Sequence, residues 1–260
     1  MNWFEALVLG LVQGLTEFLP VSSSGHLEIA DALFKVKPSE SFYFTIVVHG
    51  ATVLSTIVVF WQEIMKLVRG SIQFKINEET KYLFKIAVSM IPVLFVGLFF
   101  KDFVENMFSG NLIATGIEFL ITALLLAAAH FIRPGNREIS YFDSFIIGIA
   151  QAIAVIPAIS RSGATIATGL MLGNKKEEVA RFSFLMVILP IIGANALEIV
   201  KGGDATGGIN ITVLAIGFFT AFVSGYFACR WMIELVKRSK LIWFAAYCAL
   251  AGIISILIGW

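Results

Sequence analysis

The chain has 260 residues, 58% hydrophobic and 14% charged, with a formal net charge of +1. A soluble domain carries roughly 25% charged and about 45–50% apolar residues, so this composition excludes one and points to a membrane protein. The near-zero charge, with no large basic patch, leaves no ground for a nucleic-acid partner.

In chain order, "MNWFEALVLG" lacks a basic n-region and a small-residue cleavage pattern, so no cleavable signal peptide is expected. "ALVLGLVQGLTEF" reads as the first arm of a helical hairpin, with Gln13 and Glu17 four apart on one face. Pro20 removes a backbone donor and disfavours helix at Leu19, which ends the arm. Ser22, Ser23 and Ser24 are N-cap residues for a second arm over about 24–34, and Gly25 lets the backbone approach a ligand closely. Apolar runs at 41–61, 86–100, 111–132, 182–200, 210–229 and 241–260 supply six helices. Most are near the ~20 residues needed to cross a bilayer. Between the third and fourth run, "GIAQAIAVIPAISRSGAT" (148–165) carries a second break. Pro157 ends one arm, Ser160 and Ser162 cap the next, and Arg161 sits between. His49 in "VVHGAT" reads as a helix-packing hydrogen bond, and "GGDATGG" at 202–208 as a flexible outer turn without the Lys-Ser/Thr ending of a P-loop. Cys229 and Cys248 lie in apolar runs without metal-ligand spacing and read as small hydrophobes.

Lys and Arg concentrate in 62–85, 133–140, 174–181 and 230–240, and basic loops stay cytoplasmic. With six spans, all four segments reach that side only if 1–34 and 141–174 each dip in and return. The first would dip from the outer face and the second from the cytoplasmic face, leaving both termini outside. An offset of 138 residues superposes Gly10 on Gly148, Gln13 on Gln151, Ser22 on Ser160, Ser24 on Ser162 and Gly25 on Gly163. Each copy, 1–133 and 139–260, is then one re-entrant hairpin plus three spans, and the odd number inverts the second copy, an arrangement common in transporters. The expected fold is an all-α polytopic membrane protein with one membrane domain, an inverted-topology repeat, six transmembrane helices and two re-entrant helical hairpins.

Helix N-termini at such breaks attract anions, and a guanidinium grips phosphate oxygens bidentately. Irregular backbone at membrane depth is tolerated only inside protein or beside a wet cavity. The two breaks therefore predict an enclosed site for a phosphate-bearing anion. Glu17 is a costly ionisable group in an apolar arm and a functional candidate for that reason. His26 is a proton-handling candidate, and Thr165, one turn after Arg161, joins the set.

"QGLTEFLPVSSSGH" (13–26) and "PAISRSGAT" (157–165) resemble the two signatures of the undecaprenyl-diphosphate phosphatases of the bacitracin-resistance type, in the right order, and the resemblance covers essentially the whole chain. It implies an enzyme of the bacterial inner membrane, with its site open to the outer face. That enzyme removes the terminal phosphate of the C55 isoprenoid diphosphate and so recycles the carrier lipid for peptidoglycan synthesis. A divalent metal, Mg2+ or Ca2+, is implied as well. The family's acidic motif falls on Gln13 and Glu17 as metal ligands. Its serine–histidine segment falls on Ser22, Ser23, Ser24 and His26, and its arginine motif on Ser160, Arg161, Ser162 and Thr165. The implied catalytic residues are Glu17, Ser23, His26 and Arg161. Ser22, Ser24, Gly25, Ser160, Ser162 and Thr165 would bind phosphate. His26 as base for water, His26 as nucleophile, and Ser23 as nucleophile with His26 as base all stay open. Two positions depart from the family pattern: Gln13 stands where Glu also occurs, and Ala158 where glycine is usual. The partner is a polyprenyl diphosphate lipid, and the sequence neither requires nor excludes a homodimer. The rival reading of this architecture is a transporter or flippase for the carrier lipid, which would release no phosphate.

Overall fold

A computed structural model describes the chain except residues 74, 101–102, 105–106, 108–109, 133–134, 201–207 and 239 and the side chains of 197–200. All of the turn expected at 202–208 but its last residue lies outside the described residues. Among the described residues there are twelve helices and no strand. The first pair is α1 (Trp3–Phe18) and α2 (Ser23–Phe34), followed by α3 (Pro38–Val59), α4 (Trp61–Ser71), α5 (Glu78–Phe99) and α6 (Leu112–Phe131). The second half begins with α7 (Tyr141–Ile153) and α8 (Arg161–Met171). It continues with α9 (Lys176–Met186), α10 (Ile188–Val200), α11 (Ile211–Lys237) and α12 (Leu241–Gly259).

Six stretches are long and apolar enough to cross a membrane: α3, α5, α6, Lys176–Ala196, α11 and α12. They are the six expected runs, with α3 starting earlier because Pro38 suits a first helical turn. The other helices are too short. α1 has 16 residues and α7 has 13, so at 1.5 Å per residue each falls short of roughly 30 Å of hydrocarbon. Leu98, Leu124, Phe131 and Trp243 stand exposed on the bundle's outside, where lipid suits them, while Phe119, Ile147, Ile166 and Phe182 are buried in its core.

Packing exchanges partners between the halves. α1 runs along α11, α7 runs along α5, and α6 pairs with α12. Glycines permit the first two contacts: a Cβ at Gly10 would collide with the Gly217 carbonyl, and one at Gly148 with that of Ser89. Arg181 pairs with Glu63, Lys237 with Glu177 at 3.6 Å and Lys175 with Glu138 at 3.8 Å. Such exposed pairs contribute little stability, but they gather all four basic segments at one end of the bundle.

The ends of each short helix pair also meet. The N-terminal amine donates to Glu40 Oε2 at 2.8 Å, and the Ile139 N–H donates to Glu178 Oε1 at 3.1 Å. Asn2 closes a capping box with Glu5 at the start of α1, and Ser140 closes one with Asp143 at the start of α7. In each comparison the two residues are 138 positions apart.

Candidate active site

The two breaks repeat the same hydrogen bonds on different backbones, the cap Ser22 standing at φ 68° and the cap Ser160 at φ −66°. Beside Pro20 the Val21 N–H turns back to the Leu19 carbonyl at 2.8 Å, and the Ile159 N–H does the same to the Pro157 carbonyl at 2.7 Å. Ser22 Oγ then accepts from the Gly25 N–H at 3.2 Å and caps α2, while Ser160 Oγ accepts from the Gly163 N–H at 3.0 Å and caps α8. Ser22 and Ser24 hydroxyls lie 3.3 Å apart, as do those of Ser160 and Ser162. The breaks are also tied to each other. Ser24 Oγ accepts from the Ala158 N–H at 3.2 Å, and Ser162 Oγ donates to the Leu19 carbonyl at 3.1 Å.

Glu17, at the end of α1, is the centre of this arrangement. Its Oε1 accepts from an Arg161 Nη2, and its Oε2 accepts from Ser23 Oγ at 2.6 Å and Gln13 Nε2 at 2.9 Å. His49 Nε2, on α3, stands 3.5 Å from Oε2. The carboxylate is 6% exposed and the guanidinium 26%, so the pair is sheltered but reachable from a crevice also lined by Thr52, Thr56, Ser162 and Thr165. Burial of a lone charge is expensive, and the three hydrogen-bond donors Arg161, Ser23 and Gln13 around one carboxylate offset that cost.

The structure thus brings Gln13, Glu17, Ser23, Arg161 and the paired serines together, and separates others. His26 does not join Glu17. Its Nδ1 donates to the Ser22 carbonyl at 2.6 Å, so its Nε2 is the acceptor for the Tyr247 hydroxyl, also at 2.6 Å. The ring stacks parallel to Tyr247 and edge-on to Phe119, because the helical turn after the serines aims it at α6 and α12. Ser23 bonds Glu17 and not His26, so the pairing of a Ser23 nucleophile with a His26 base has no counterpart here. Gly25 makes its close approach to protein, not to open space: a Cβ there would lie 2.8 Å from the Phe119 ring and 2.9 Å from the Ala158 Cβ. Arg161 is the first residue of α8, not part of the break. Thr165 bonds back to the Arg161 carbonyl at 2.9 Å and meets the crevice as lining. Cys229 and Cys248 are free and buried, and the Cys248 thiol donates to the Pro20 carbonyl.

His49, which the sequence places as a helix-packing hydrogen bond, does bond the Thr45 carbonyl of its own helix at 2.9 Å, but its other ring nitrogen also faces Glu17. An ionisable group in a span was the available signal, but nothing in the chain tells which face of α3 meets α1.

Among the described residues no three His, Cys, Asp or Glu side chains converge as a metal site. A sparser donor set is present. Gln13 Oε1 is buried without a hydrogen-bond partner, on the same amide whose nitrogen is held by Glu17. One carboxylate and one amide oxygen fit a hard cation that keeps waters and takes its remaining ligands from phosphate.

Helices broken in pairs inside an apolar bundle, with the polar side chains gathered at the breaks, define a polytopic helical membrane protein with an internal polar centre. The chain belongs to the family described as bacitracin resistance protein BacA, which matches residues 6–254. It is 57% identical to the undecaprenyl-diphosphatase of Parabacteroides distasonis, over 98% of each chain. It is 53% identical to the one from Bacteroides fragilis, over 99% of this chain and 98% of that one. With the one from Carboxydothermus hydrogenoformans it shares 39% identity, over 97% and 96%.

Proposed function

We infer that the chain is an undecaprenyl-diphosphatase of the bacterial inner membrane, hydrolysing the terminal phosphate of the C55 isoprenoid diphosphate to leave the monophosphate carrier. This recycling for peptidoglycan synthesis confers bacitracin resistance. The observation that carries the reading is the Glu17–Arg161 pair, which joins the two signature segments across the bundle. Identity above one half with proteins of that name over the full chain supports it.

Substrate phosphate oxygens exchange with the Glu17 carboxylate on Arg161, whose fork suits them. The Ser22 and Ser24 oxygens each accept from a backbone N–H and lie 3.3 Å apart, so one of their two protons is left for the anion, while Ser162, whose own proton goes to the Leu19 carbonyl, takes that of Ser160. The N-termini of α2 and α8 add their dipoles. Ser23 Oγ already donates to Glu17 Oε2, so its proton passes there as the oxygen attacks the terminal phosphorus. The bond to the bridging oxygen breaks, the lipid monophosphate leaves, and water cleaves the phosphoserine. His26 positions the start of α2 through the Ser22 carbonyl and Tyr247. Glu17 and Gln13 Oε1 would hold Mg2+ or Ca2+, which neutralises phosphate charge when bound.

The topology belongs to the same reading. The matched turns, caps and end-to-end bonds 138 residues apart support two inverted repeats, 1–133 and 139–260. The meeting ends of 1–34 and 141–174 support re-entrant hairpins, and the clustered basic segments support a cytoplasmic location for that end. The site then opens toward the outer face.

The test is phosphate release from C55 diphosphate by purified protein in detergent, with and without chelator. Glu17→Ala is expected to lower release at least about 100-fold. Near-normal release by that variant would remove Glu17 from the mechanism. Undiminished release with chelator would remove the metal, and no release by the natural sequence would leave a carrier.

A further inference from the structure

α4 takes the chain from the end of α3 toward the start of α5, so it lies along the end of the bundle where these two spans emerge. Glu63, bound to Arg181 on α9, fixes it to the basic end. Its side chains sort by face. Ile64 and Leu67 turn into the core. Trp61, Met65 and Arg69, at four-residue spacing, line a cavity of about 650 Å³ together with Lys66 and with Gln73 in the turn after the helix, and Glu79 faces them from α5. Lys66 Nζ lies 3.5 Å from Glu79 Oε1 and is 71% exposed, while Arg69 pairs with no carboxylate among the described residues. Trp61 is 54% exposed, and Ile72 and Ile76, at 64% and 84%, extend apolar surface just beyond. A concave wall with two cations beside an exposed indole and a half-buried thioether suits a molecule that is anionic at one end and apolar at the other.

We propose that this groove binds one anionic glycerophospholipid from the adjoining leaflet. The phosphodiester sits between Lys66 and Arg69, the glycerol moiety reaches the Gln73 amide, and an acyl chain lies along Trp61 and Met65. Glu79 is the anion that holds Lys66 until lipid displaces it. Charge complementarity favours this occupant: basic pockets at the cytoplasmic ends of transmembrane helices hold anionic head groups, each cation contributing about a fivefold preference. A protein partner would need a larger apolar face than the one this cavity offers.

Native mass spectrometry of the purified chain, with phosphatidylglycerol or phosphatidylcholine added, tests the proposal. One phosphatidylglycerol is expected to be retained with a preference of at least about tenfold. Arg69→Gln should reduce the preference about fivefold, and Lys66→Gln with Arg69→Gln should abolish it. Lys81→Gln with Lys85→Gln, at the same end but outside the groove, should leave it intact, with unchanged thermal unfolding as the check on folding for every variant. Equal retention of both lipids by the natural sequence overturns the site. So does an undiminished preference in the Lys66/Arg69 variant, and an equal loss in both double variants would assign the effect to diffuse surface charge. Phosphate release does not enter the readout, so the outcome is independent of the proposed activity.

Discussion

At Ala158 the backbone stands at φ 54°, where an L side chain crowds the following carbonyl at a cost of about 1–2 kcal/mol. This is the position where the family pattern prefers glycine, and the left-handed turn explains the preference. Replacing Ala158 by glycine would relieve that strain but lose a buried methyl, about 0.8 kcal/mol, and add about 0.4–1 kcal/mol of unfolded-chain freedom. The two sides nearly cancel, so Ala158→Gly alone should leave thermal stability almost unchanged. Its value appears beside Gly25, where a Cβ would meet Ala158 and Phe119. Gly25→Ala should destabilise by about 1–3 kcal/mol through overpacking. The pair Gly25→Ala with Ala158→Gly should recover part of that loss, measured by thermal unfolding in detergent, whereas strictly additive losses would show that the two positions do not touch. Sequence made Glu17, Ser23 and Arg161 legible because charge and hydroxyls are anomalous in an apolar chain. It could not deliver the Tyr247 partner of His26, 221 residues away, since no local pattern encodes that contact.

The elements of the centre were legible in proportion to their local chemistry. Pro20 follows the end of α1 by two residues, whereas α7 stops at Ile153 and the chain passes through tight turns before Pro157. Serines cap α2 and α8, and the second arm starts at Ser23, within a residue of its expected start. Which helix covers which was not legible, because a helix facing lipid on one side and helices on the other has no polar stripe to mark its inner face. The exchange of serine bonds between breaks is one such hidden feature, and its two halves differ in consequence. Ser24 supplies the acceptor for the Ala158 N–H, so Ser24→Ala leaves a buried donor unpaired and should cost about 1–3 kcal/mol. Ser162 supplies a donor to the Leu19 carbonyl, which keeps the Val21 N–H in any case. Ser162→Ala should therefore cost less than about 1 kcal/mol, and equal unfolding midpoints for the two variants would contradict the assigned directions of these bonds.

For the whole molecule, six spans follow from composition alone, while charge gives only an expectation for the path of the chain between them. The four basic segments can share one side only if 141–174 returns to the side it entered, and the hydrogen bonds repeated 138 residues apart extend that expectation to 1–34. The backbone of Arg137 bonds to Gly173 and Lys175, so the entry and exit of the second short pair lie side by side. Met1 and Glu40 hold the first pair in the same way. This geometry fixes the expectation for single cysteines introduced on exposed positions, the two natural cysteines being buried. An impermeant maleimide added to intact cells should reach Lys37→Cys and Trp260→Cys. It should reach Lys75→Cys, Asn136→Cys and Lys240→Cys only after permeabilisation. If 141–174 crossed the bilayer instead of returning, Asn136 and Lys175 would label from opposite sides, and the inverted repeat would lose its second hairpin. The same labelling decides the direction of the site: with Lys37 outside, the short pair α1–α2 enters from the outer face and carries Glu17 toward α8 at membrane depth. Labelling of Lys37→Cys only from the cytoplasmic side would turn the substrate's approach around.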